Sequence, residues 1–379
     1  MKKNTPSFPK NLLFVVTAAT LALILYFGLD PKGFHLSNQV TWISDRDGIR
    51  FGQYGISYAD NVFESFGRGE QGPAGLSLEL VVRPDRIDDN RFKFIMVFHA
   101  GDDSSQLLVG QWRSSIIVMN GDDYDGSRRI KKLGVKNALT VDQARLVTIT
   151  SGKEGTRMYL DGQVAAAAKD LVLRMPVERE GAVLVVGNSL YGRHFWSGGI
   201  YGLAVYETAL SATEVKSHFG KWSGERRFSF ARQRSPRALY LFDEKKGRRA
   251  RDRAGGAHDL EIPQRFKVLN REMLEASWRR IRLNSAFVQD VFLNIAGFIP
   301  LGFLLSAVFV RFGGSVGKHG VLITVMVCCA LSLGIEIAQA WMPSRSSQTL
   351  DLMMNTLGAF FGGFGYCFLR SARNRLSSS

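Results

Sequence analysis

Seven polar side chains near the C-terminal end of the chain lie inside or beside long apolar runs. They are Asp290, Asn294, Glu336, Gln339, Arg345, Asp351 and Asn355. Ionisable groups at membrane depth are costly, so by default they suggest a functional site. Carboxylates placed there could handle protons, bind a cation, or accept hydrogen bonds from an amine or hydroxyl group of a lipid-linked substrate.

The spacing of these residues predicts that they meet. Asp290 with Asn294 and Asp351 with Asn355 are four residues apart, and Glu336 with Gln339 are three apart. Each pair therefore shares one face of a helix. Arg345 is expected in the intervening loop, where it could pair with a carboxylate. The alternative is that the cluster only joins helices by hydrogen bonds. Because such joining needs amides more than acids, the three carboxyl groups favour a function.

Four apolar runs are long enough to cross a bilayer and would position this cluster. They cover residues 12–29, 291–310, 321–341 and 352–369. The first follows three lysines and lacks a small-x-small cleavage pattern, which predicts an uncleaved membrane helix. Basic residues before the first span, between the second and third, and after the fourth would then share one side. The charge rule places that side, with both termini, in the cytoplasm, and the cluster at the outer end.

The polar segment between the first two spans has the pattern of an all-β domain. Short alternating runs such as 76–82, 92–98 and 145–150 predict strands. Asp161-Gly162 predicts a hairpin turn, since both turn positions need positive φ. Ser211 and Glu214 form a capping-box pattern at the start of a helix. Many short strands with few helical runs indicate a β-sandwich.

Composition limits the partners. The net charge is +15 over 379 residues, which suits anionic lipid head groups or envelope polymers, and no nucleic-acid-binding motif occurs. The basic run 226–253 is a solvated face or a contact with such anions. The three cysteines lie in apolar runs and form no metal spacing. No cofactor is predicted, except that Asp122, Asp123 and Asp125 could hold calcium; a solvated hairpin turn is the favoured alternative.

The segment from 39 to 219 resembles the laminin-G-like, concanavalin A-like jelly roll. Tyr159, Asp161 and Gly162 match one family motif, and a second is matched by Phe195, Gly198, Gly199, Tyr206, Leu210, Ser211 and Glu214. The resemblance implies a domain that binds a glycan or protein. Some relatives cleave polysaccharides with closely spaced acids on one strand, whereas the corresponding strand here has only Glu79. Residues 238–263 are expected to complete the sandwich.

The segment from 290 to 369 resembles the VanZ-like membrane family. The matching positions are Asp290, Asn294, Phe298, Pro300, Gly302, Glu336, Gln339, Arg345, Thr349, Asp351, Asn355, Gly358 and Gly362. The family is named for a teicoplanin-resistance protein, so the resemblance implies a membrane protein related to antibiotic resistance. This chain departs from the short form by a large insertion after the first span.

The sequence therefore predicts a multi-domain protein with a four-helix transmembrane bundle and an extracytoplasmic all-β, concanavalin A-like jelly-roll sandwich. The predicted boundaries are 1–30 for the start and first span, 31–265 for the sandwich, 266–287 for an interfacial linker, 288–370 for the VanZ-like domain and 371–379 for the tail.

We expect a cell-envelope protein that binds an extracytoplasmic glycan or protein and handles a membrane lipid or lipid-linked precursor. Two alternatives stay open: a membrane enzyme or transporter using the acid–Arg cluster, and an anchored adhesion or scaffold protein. The sequence shows no nucleophile or phosphate-binding loop, which disfavours catalysis.

Overall fold

A computed structural model describes most of the chain, in two compact units. The described residues are 10–29, 36–62, 75–124, 129–176, 182–224, 235–256, 258–271, 273–275, 285–342 and 345–376. One unit, the helical unit, combines the N-terminal helix with the chain from Arg271 onward. The other, the β-domain, is the intervening chain through Asn270.

The β-domain consists of two antiparallel sheets. Its strands are β1 Val40–Trp42, β2 Ile49–Phe51, β3 Ser57–Val62, β4 Leu76–Pro84, β5 Lys93–His99, β6 Leu107–Trp112, β7 Ser115–Asn120, β8 Lys132–Val135, β9 Arg145–Gly152, β10 Gly155–Leu160, β11 Gln163–Ala168, β12 Ala182–Val186, β13 Gly198–Tyr206, β14 Ala238–Tyr240, β15 Arg249–Ala250 and β16 Leu260–Glu261. The first sheet has the order β1-β2-β13-β4-β9-β10-β11, with β14 also on β13, and the second β15-β16-β3-β12-β5-β6-β7-β8.

The main core lies between the two sheets. Leu78 and Leu203 of the first sheet belong to the same buried cluster as Phe98 and Leu184 of the second. A second buried cluster, which includes Phe266, contains further residues of the second sheet. These layers confirm the predicted β-sandwich. As expected, the chain after 238 adds β14 to the first sheet and β15 and β16 to the second.

Two local predictions in the β-domain are confirmed. Asp161 and Gly162, which connect β10 to β11, have φ angles of 50° and 79°. Helix α2 (Ala212–Ser223) begins with the predicted capping box between Ser211 and Glu214.

A buried carboxylate joins α2 to the first sheet. Glu79 on β4 is fully buried and accepts hydrogen bonds from the Tyr206 hydroxyl at 2.9 Å, the His218 Nδ1 at 3.0 Å and the Trp222 Nε1 at 3.0 Å. For Glu79 to accept from all three groups, His218 must be in the form that carries a proton on Nδ1. Burial, and then the nearby Glu79, raise the pKa of Tyr206 well above its usual range, so the phenol remains a donor.

Four helices among the described residues are long and apolar enough to cross a membrane. The helices of this unit are α1 Lys10–Leu29, α3 Ser285–Arg311, α4 Gly314–Lys318, α5 Gly320–Gln339 and α6 Thr349–Leu376. Their apolar side chains extend around most of each helix, and many are exposed, as expected of surfaces that face lipid. The short α4 was not predicted.

The long helices alternate in direction. Hydrogen bonds from the end of α5 to the end of α1, and from the start of α3 to the start of α6, place those four termini at one end of the bundle. At the other end, Leu13 of α1 clusters with Ala307 and Val308 of α3. The prediction that the first helix is a wall of the same bundle is therefore confirmed.

Glycines allow α3 and α6 to pack in close contact. A methyl group added to Gly358 or Gly362 would collide with the backbone carbonyl of Ile295 or Ile299, respectively. On α3, a methyl group on Gly302 would collide with the backbone of Ala359. Small residues at helix crossings are what allow such backbone approach in membranes. These positions within the predicted VanZ-like motif thus serve helix packing.

The β-domain continues past the predicted boundary at 265. Phe266 is 6% exposed, and the Leu269 amide donates to the Leu190 carbonyl at 2.9 Å. Part of the predicted interfacial linker, residue 272 and residues 276–284, lies outside the described residues.

Candidate functional site

One end of the bundle gathers the predicted carboxylates. Asp290 at the start of α3, Glu336 near the end of α5 and Asp351 in the first turn of α6 define this carboxylate end. Asp290 and Asp351 are both close enough to interact electrostatically with Glu336. Asp290 is exposed, whereas Glu336 is only 1% exposed. The three carboxyl groups therefore lie at the same end of the bundle but differ in their exposure.

Two of these carboxylates lie at the N-terminus of α6. The Gln348 backbone N–H, just before the helix, donates to Glu336 Oε2 at 2.7 Å. Asp351 accepts a hydrogen bond from Asn294 Nδ2 at 2.8 Å. A helix N-terminus presents unpaired N–H groups and a partial positive charge, so it lowers the electrostatic cost of both acids.

The chain before α3 closes over the loop between α5 and α6. The Leu274 amide donates to Ser347 Oγ at 3.1 Å, and the Thr349 hydroxyl donates to the Leu274 carbonyl at 2.7 Å. Glu275 and Gln348 form a short parallel bridge. This pairing fixes the backbone around Gln348, which holds the Glu336 carboxylate.

Gln339 and Arg345 bind the end of α1. Gln339 Nε2 donates to the Gly28 carbonyl at 2.7 Å, and an Arg345 Nη donates to the Phe27 carbonyl at 3.4 Å. The last carbonyls of a helix lack partners within it, so these two side chains cap α1. The expectation that Arg345 could pair with a carboxylate stays a prediction. Although Asp351 is near enough to interact electrostatically with it, no described carboxylate lies within ion-pair distance of Arg345.

Asn355 lies one turn deeper on the same face of α6 as Asp351. Its Nδ2 donates to the Ser332 hydroxyl of α5 at 2.9 Å. Its Oδ1 is buried and has no partner among the described residues. A buried polar atom without a partner costs free energy unless a water, ion or ligand completes its bonding.

The amides and the acids of the cluster thus have different surroundings. Asn294, Gln339 and Asn355 each make a hydrogen bond between helices, as the joining interpretation predicts. The acids and Asn355 Oδ1 are hydrogen-bond acceptors grouped at one end of the bundle. Chemically, this arrangement suits a cation, an amine or a hydroxyl donor.

The structure describes two of the three calcium candidates, Asp122 and Asp123. Asp123 is fully buried, and its Oδ2 accepts from the Ile130 amide at 3.1 Å and Lys132 Nζ at 3.3 Å. Asp125 lies outside the described residues. No described group of three metal-binding side chains has metal-site geometry. Asp123 therefore has a structural role, and calcium binding involving Asp122 and Asp125 stays a prediction.

The β-domain presents an exposed aromatic ring that the sequence did not single out. Trp112, at the end of β6, is 42% exposed. Its Nε1 donates to the Asn90 carbonyl at 3.2 Å, and the Arg113 guanidinium lies 5.2 Å from its ring centroid. Arg113 Nε also donates to Asn90 Oδ1 at 2.6 Å. The ring is thus held in place beside polar groups. Only its three-dimensional exposure distinguishes it from the buried tryptophans.

Two family models match this chain. Residues 240–370 match the VanZ/LLP1 family, and residues 64–216 match the laminin G model described as the concanavalin A-like lectin/glucanases superfamily. The first match begins in β14 and ends within α6. No curated protein matches the chain.

Solved structures show more distant likenesses. A proposed carbohydrate-binding protein from Bacteroides ovatus is 12% identical with a TM-score of 0.39, and the match covers 62% of each chain. The Ruminococcus gnavus IT-sialidase CBM40, bound to α2,3-sialyllactose, is 12% identical over 49% of this chain and 98% of its own, with a TM-score of 0.34. The binding domain of botulinum neurotoxin DC, in complex with rat synaptotagmin II, is 13% identical over 49% and 46%, with a TM-score of 0.39. The chain thus spans less than two thirds of the Bacteroides protein and of the toxin domain.

The family matches agree with both resemblances seen in the sequence. The laminin G match lies within the β-domain, and the VanZ/LLP1 match covers the last part of the β-domain and the helices α3 to α6 through residue 370. The chain therefore carries a VanZ-like domain and a laminin-G-like, concanavalin A-like domain, in a multi-pass membrane protein.

Proposed function

We propose that the protein binds an envelope glycan or glycoconjugate through its β-domain and handles a lipid-linked or amphipathic partner at the carboxylate end of its bundle. The observation that carries the proposal is the combination, in one chain, of a concanavalin A-like domain with a VanZ-like bundle. A glycan-binding module on a membrane bundle suits a partner that has both a sugar and a lipid part.

Binding, rather than cleavage, of the glycan is supported by the position of Glu79. That carboxylate is fully buried and engaged by three side chains, so it anchors α2. Trp112 offers a rigid aromatic surface with amide and guanidinium groups at its border. Amphipathic aromatic rings of this kind supply apolar contact area next to polar partners, which suits a sugar ring.

Handling of a partner at the carboxylate end is supported by the different roles of the amide and carboxylate side chains in the cluster. The amides join helices, whereas the three carboxylates and Asn355 Oδ1 provide acceptors without an ion-paired cation among the described residues. A hydroxyl or amine of a lipid-linked precursor, or a cation that accompanies it, would complete those acceptors.

For the topology we propose that both termini are cytoplasmic and the β-domain is extracytoplasmic. Arg311, Lys318 and Arg370 lie towards the end of the bundle opposite the carboxylates, which agrees with the positive-inside rule. Cysteine accessibility in intact cells tests this orientation. Labelling of an Asp243→Cys variant by an impermeant reagent is expected, and labelling of Ser315→Cys instead would overturn it.

Glycan binding is tested with the full-length protein in detergent on a glycan array. Trp112→Ala is expected to reduce retention of a bound glycan about tenfold, because loss of a stacking ring costs about 1–2 kcal/mol. Val164→Ala, an exposed change on β11, serves as the control and is expected to leave binding unchanged. Absence of any glycan bound by the wild type would overturn the β-domain proposal.

Partner handling is tested by mass spectrometry of lipids that copurify with wild type and with Glu336→Gln or Asp290→Asn. We expect a lipid-linked envelope species to be lost from both variants. Thr324→Val, which removes the Ser306–Thr324 contact of 3.0 Å elsewhere in the bundle, is the matched control.

The same experiment distinguishes the other functions. Accumulation of a chemically altered lipid in the wild type would favour a membrane enzyme, and movement of the lipid across vesicles would favour a transporter. Full cellular function of both carboxylate variants would favour an anchored scaffold. A link to glycopeptide resistance is tested by the teicoplanin susceptibility of a deletion strain.

A further inference from the structure

The helical unit contains a cavity at the end opposite the carboxylates. Its volume is about 390 Å³, and it lies between α1, α3 and α6. The walls are mainly apolar and include Leu13, Phe303, Leu304 and Ala307. This cavity is distinct from the residues of the proposed glycan and partner sites.

Three arginines line the same cavity and define the arginine end. Arg311 is the last residue of α3, while Arg370 and Arg373 belong to the last turns of α6. Tyr366, Arg370 and Arg373 follow one another at helical spacings of four and three residues, so they share one face of α6. All three guanidinium-bearing side chains are exposed.

The described carboxylates of the helical unit lie away from Arg370 and Arg373. The carboxylates described in the helical unit are Glu275, Asp290, Glu336 and Asp351, and each lies towards the other end. No ion pair to Arg370 or Arg373 occurs within the described part of the chain. An apolar cavity bordered by Arg370 and Arg373 suits an occupant with an apolar body and an anionic head.

We propose that this cavity binds an anionic diacyl phospholipid from the adjacent leaflet. One acyl chain would fill the apolar space between α1, α3 and α6, and the phosphate would lie among Arg311, Arg370 and Arg373. Guanidinium groups match phosphate oxygens in geometry and charge. Basic pockets between membrane helices recognise anionic lipid head groups by the same combination. The occupant would also join α1 to α3 and α6 at the end where α1 lacks the Gln339 and Arg345 caps.

The test uses native mass spectrometry of the delipidated full-length protein with added phosphatidylglycerol or phosphatidylcholine. Wild type is expected to retain phosphatidylglycerol about tenfold better. The double variant Arg370→Gln/Arg373→Gln is expected to lose that preference, because it removes the two guanidinium groups that would pair with the phosphate. The matched control is Lys318→Gln/Arg375→Gln, which removes the same charge outside the cavity lining, where salt screens the attraction, and is expected to change retention less than about twofold.

A second variant keeps every charge. Ala307→Trp fills the apolar part of the cavity and is expected to reduce phosphatidylglycerol retention while thermal melting shows a folded protein. If Lys318→Gln/Arg375→Gln lost as much phosphatidylglycerol retention as Arg370→Gln/Arg373→Gln, the attraction would be non-specific and the proposed site would be overturned. Equal retention of phosphatidylcholine, or full competition by inorganic phosphate, would also overturn a diacyl anionic ligand.

Discussion

Two buried glutamates, one in each unit, have very different surroundings. Glu79 in the β-domain accepts from three side chains that belong to β13 and α2. Glu336 in the bundle accepts from the Gln348 backbone N–H and the Ser347 side chain, both just before α6, and its neighbours include two further carboxylates. Both side chains are at most 1% exposed. Burial alone therefore does not distinguish a structural acid from a functional one; the identity of the neighbouring groups does.

The different neighbours of the two glutamates indicate that Glu79 contributes to stability and that Glu336 is available for chemistry. A carboxylate surrounded by dedicated donors is committed to the fold, since removing it leaves those donors unpaired. A carboxylate grouped with other acids stores electrostatic repulsion, which a cation or proton can relieve. We therefore expect substitutions of the two glutamates to affect different measurements.

The largest effect is expected from Glu79→Ala. Three buried donors would lose their acceptor, so the free energy of unfolding of the β-domain should fall by about 3–5 kcal/mol. Chemical denaturation of the full-length protein, followed by tryptophan fluorescence, measures this. A loss below about 1 kcal/mol would contradict the anchoring role of Glu79.

A smaller effect is expected from Trp222→Phe. This change removes one donor to Glu79 while keeping most of the apolar contact of α2, so it should cost about 1–2 kcal/mol. The same denaturation experiment measures it. The control is Trp112→Phe, because Trp112 is exposed and its substitution should change stability by less than about 0.5 kcal/mol.

Glu336→Gln is expected to cost less than about 1 kcal/mol, because the amide oxygen can still accept from the Gln348 N–H. Melting temperature in detergent measures this, while retention of the copurified lipid should be lost. A large drop in melting temperature together with normal lipid retention would show that Glu336, like Glu79, has a structural role.

The smallest effect is expected at a partly exposed ion pair. The Arg91 side chain has the largest effect in lowering the pKa of Asp89 below its usual range, and the Arg91 backbone N–H and Lys93 lower it further. The charged form is therefore favoured in the folded state, so its contribution is present above about pH 4 and is lost as the pH falls further. Asp89→Asn should cost about 0.2–1 kcal/mol at pH 7 and less than that near pH 2. Denaturation at the two pH values measures this, and an equal cost at both would contradict it.

Features decided by adjacent residues could be predicted from the sequence. The turn at Asp161-Gly162, the capping box at Ser211 and the four membrane spans each depend on local chemistry or on a continuous apolar run. By contrast, β11 is alanine-rich and mostly exposed, so it lacks the alternation that marks a strand. The two-residue strands β15 and β16 pair with each other, and β16 joins the sheet only through the distant strand β3.

The candidate site was predictable in its location but not in its contacts. Helical spacing placed the acids and amides at one end, whereas the partner of Arg345 depends on where α1 ends. The nearest acceptor for its guanidinium is a helix-terminal carbonyl, which no local pattern reveals. Likewise, the pairing of Asn355 with Ser332 requires the packing of α5 on α6.

The caps on α1 have a consequence for biosynthesis. Gln339 follows its acceptor, Gly28, by 311 residues, and Arg345 follows Phe27 by 318. The ribosome thus completes the entire β-domain while the carbonyls at the end of α1 still lack these two partners. The first helix inserts alone, and its final docking must wait until nearly the whole chain has been made.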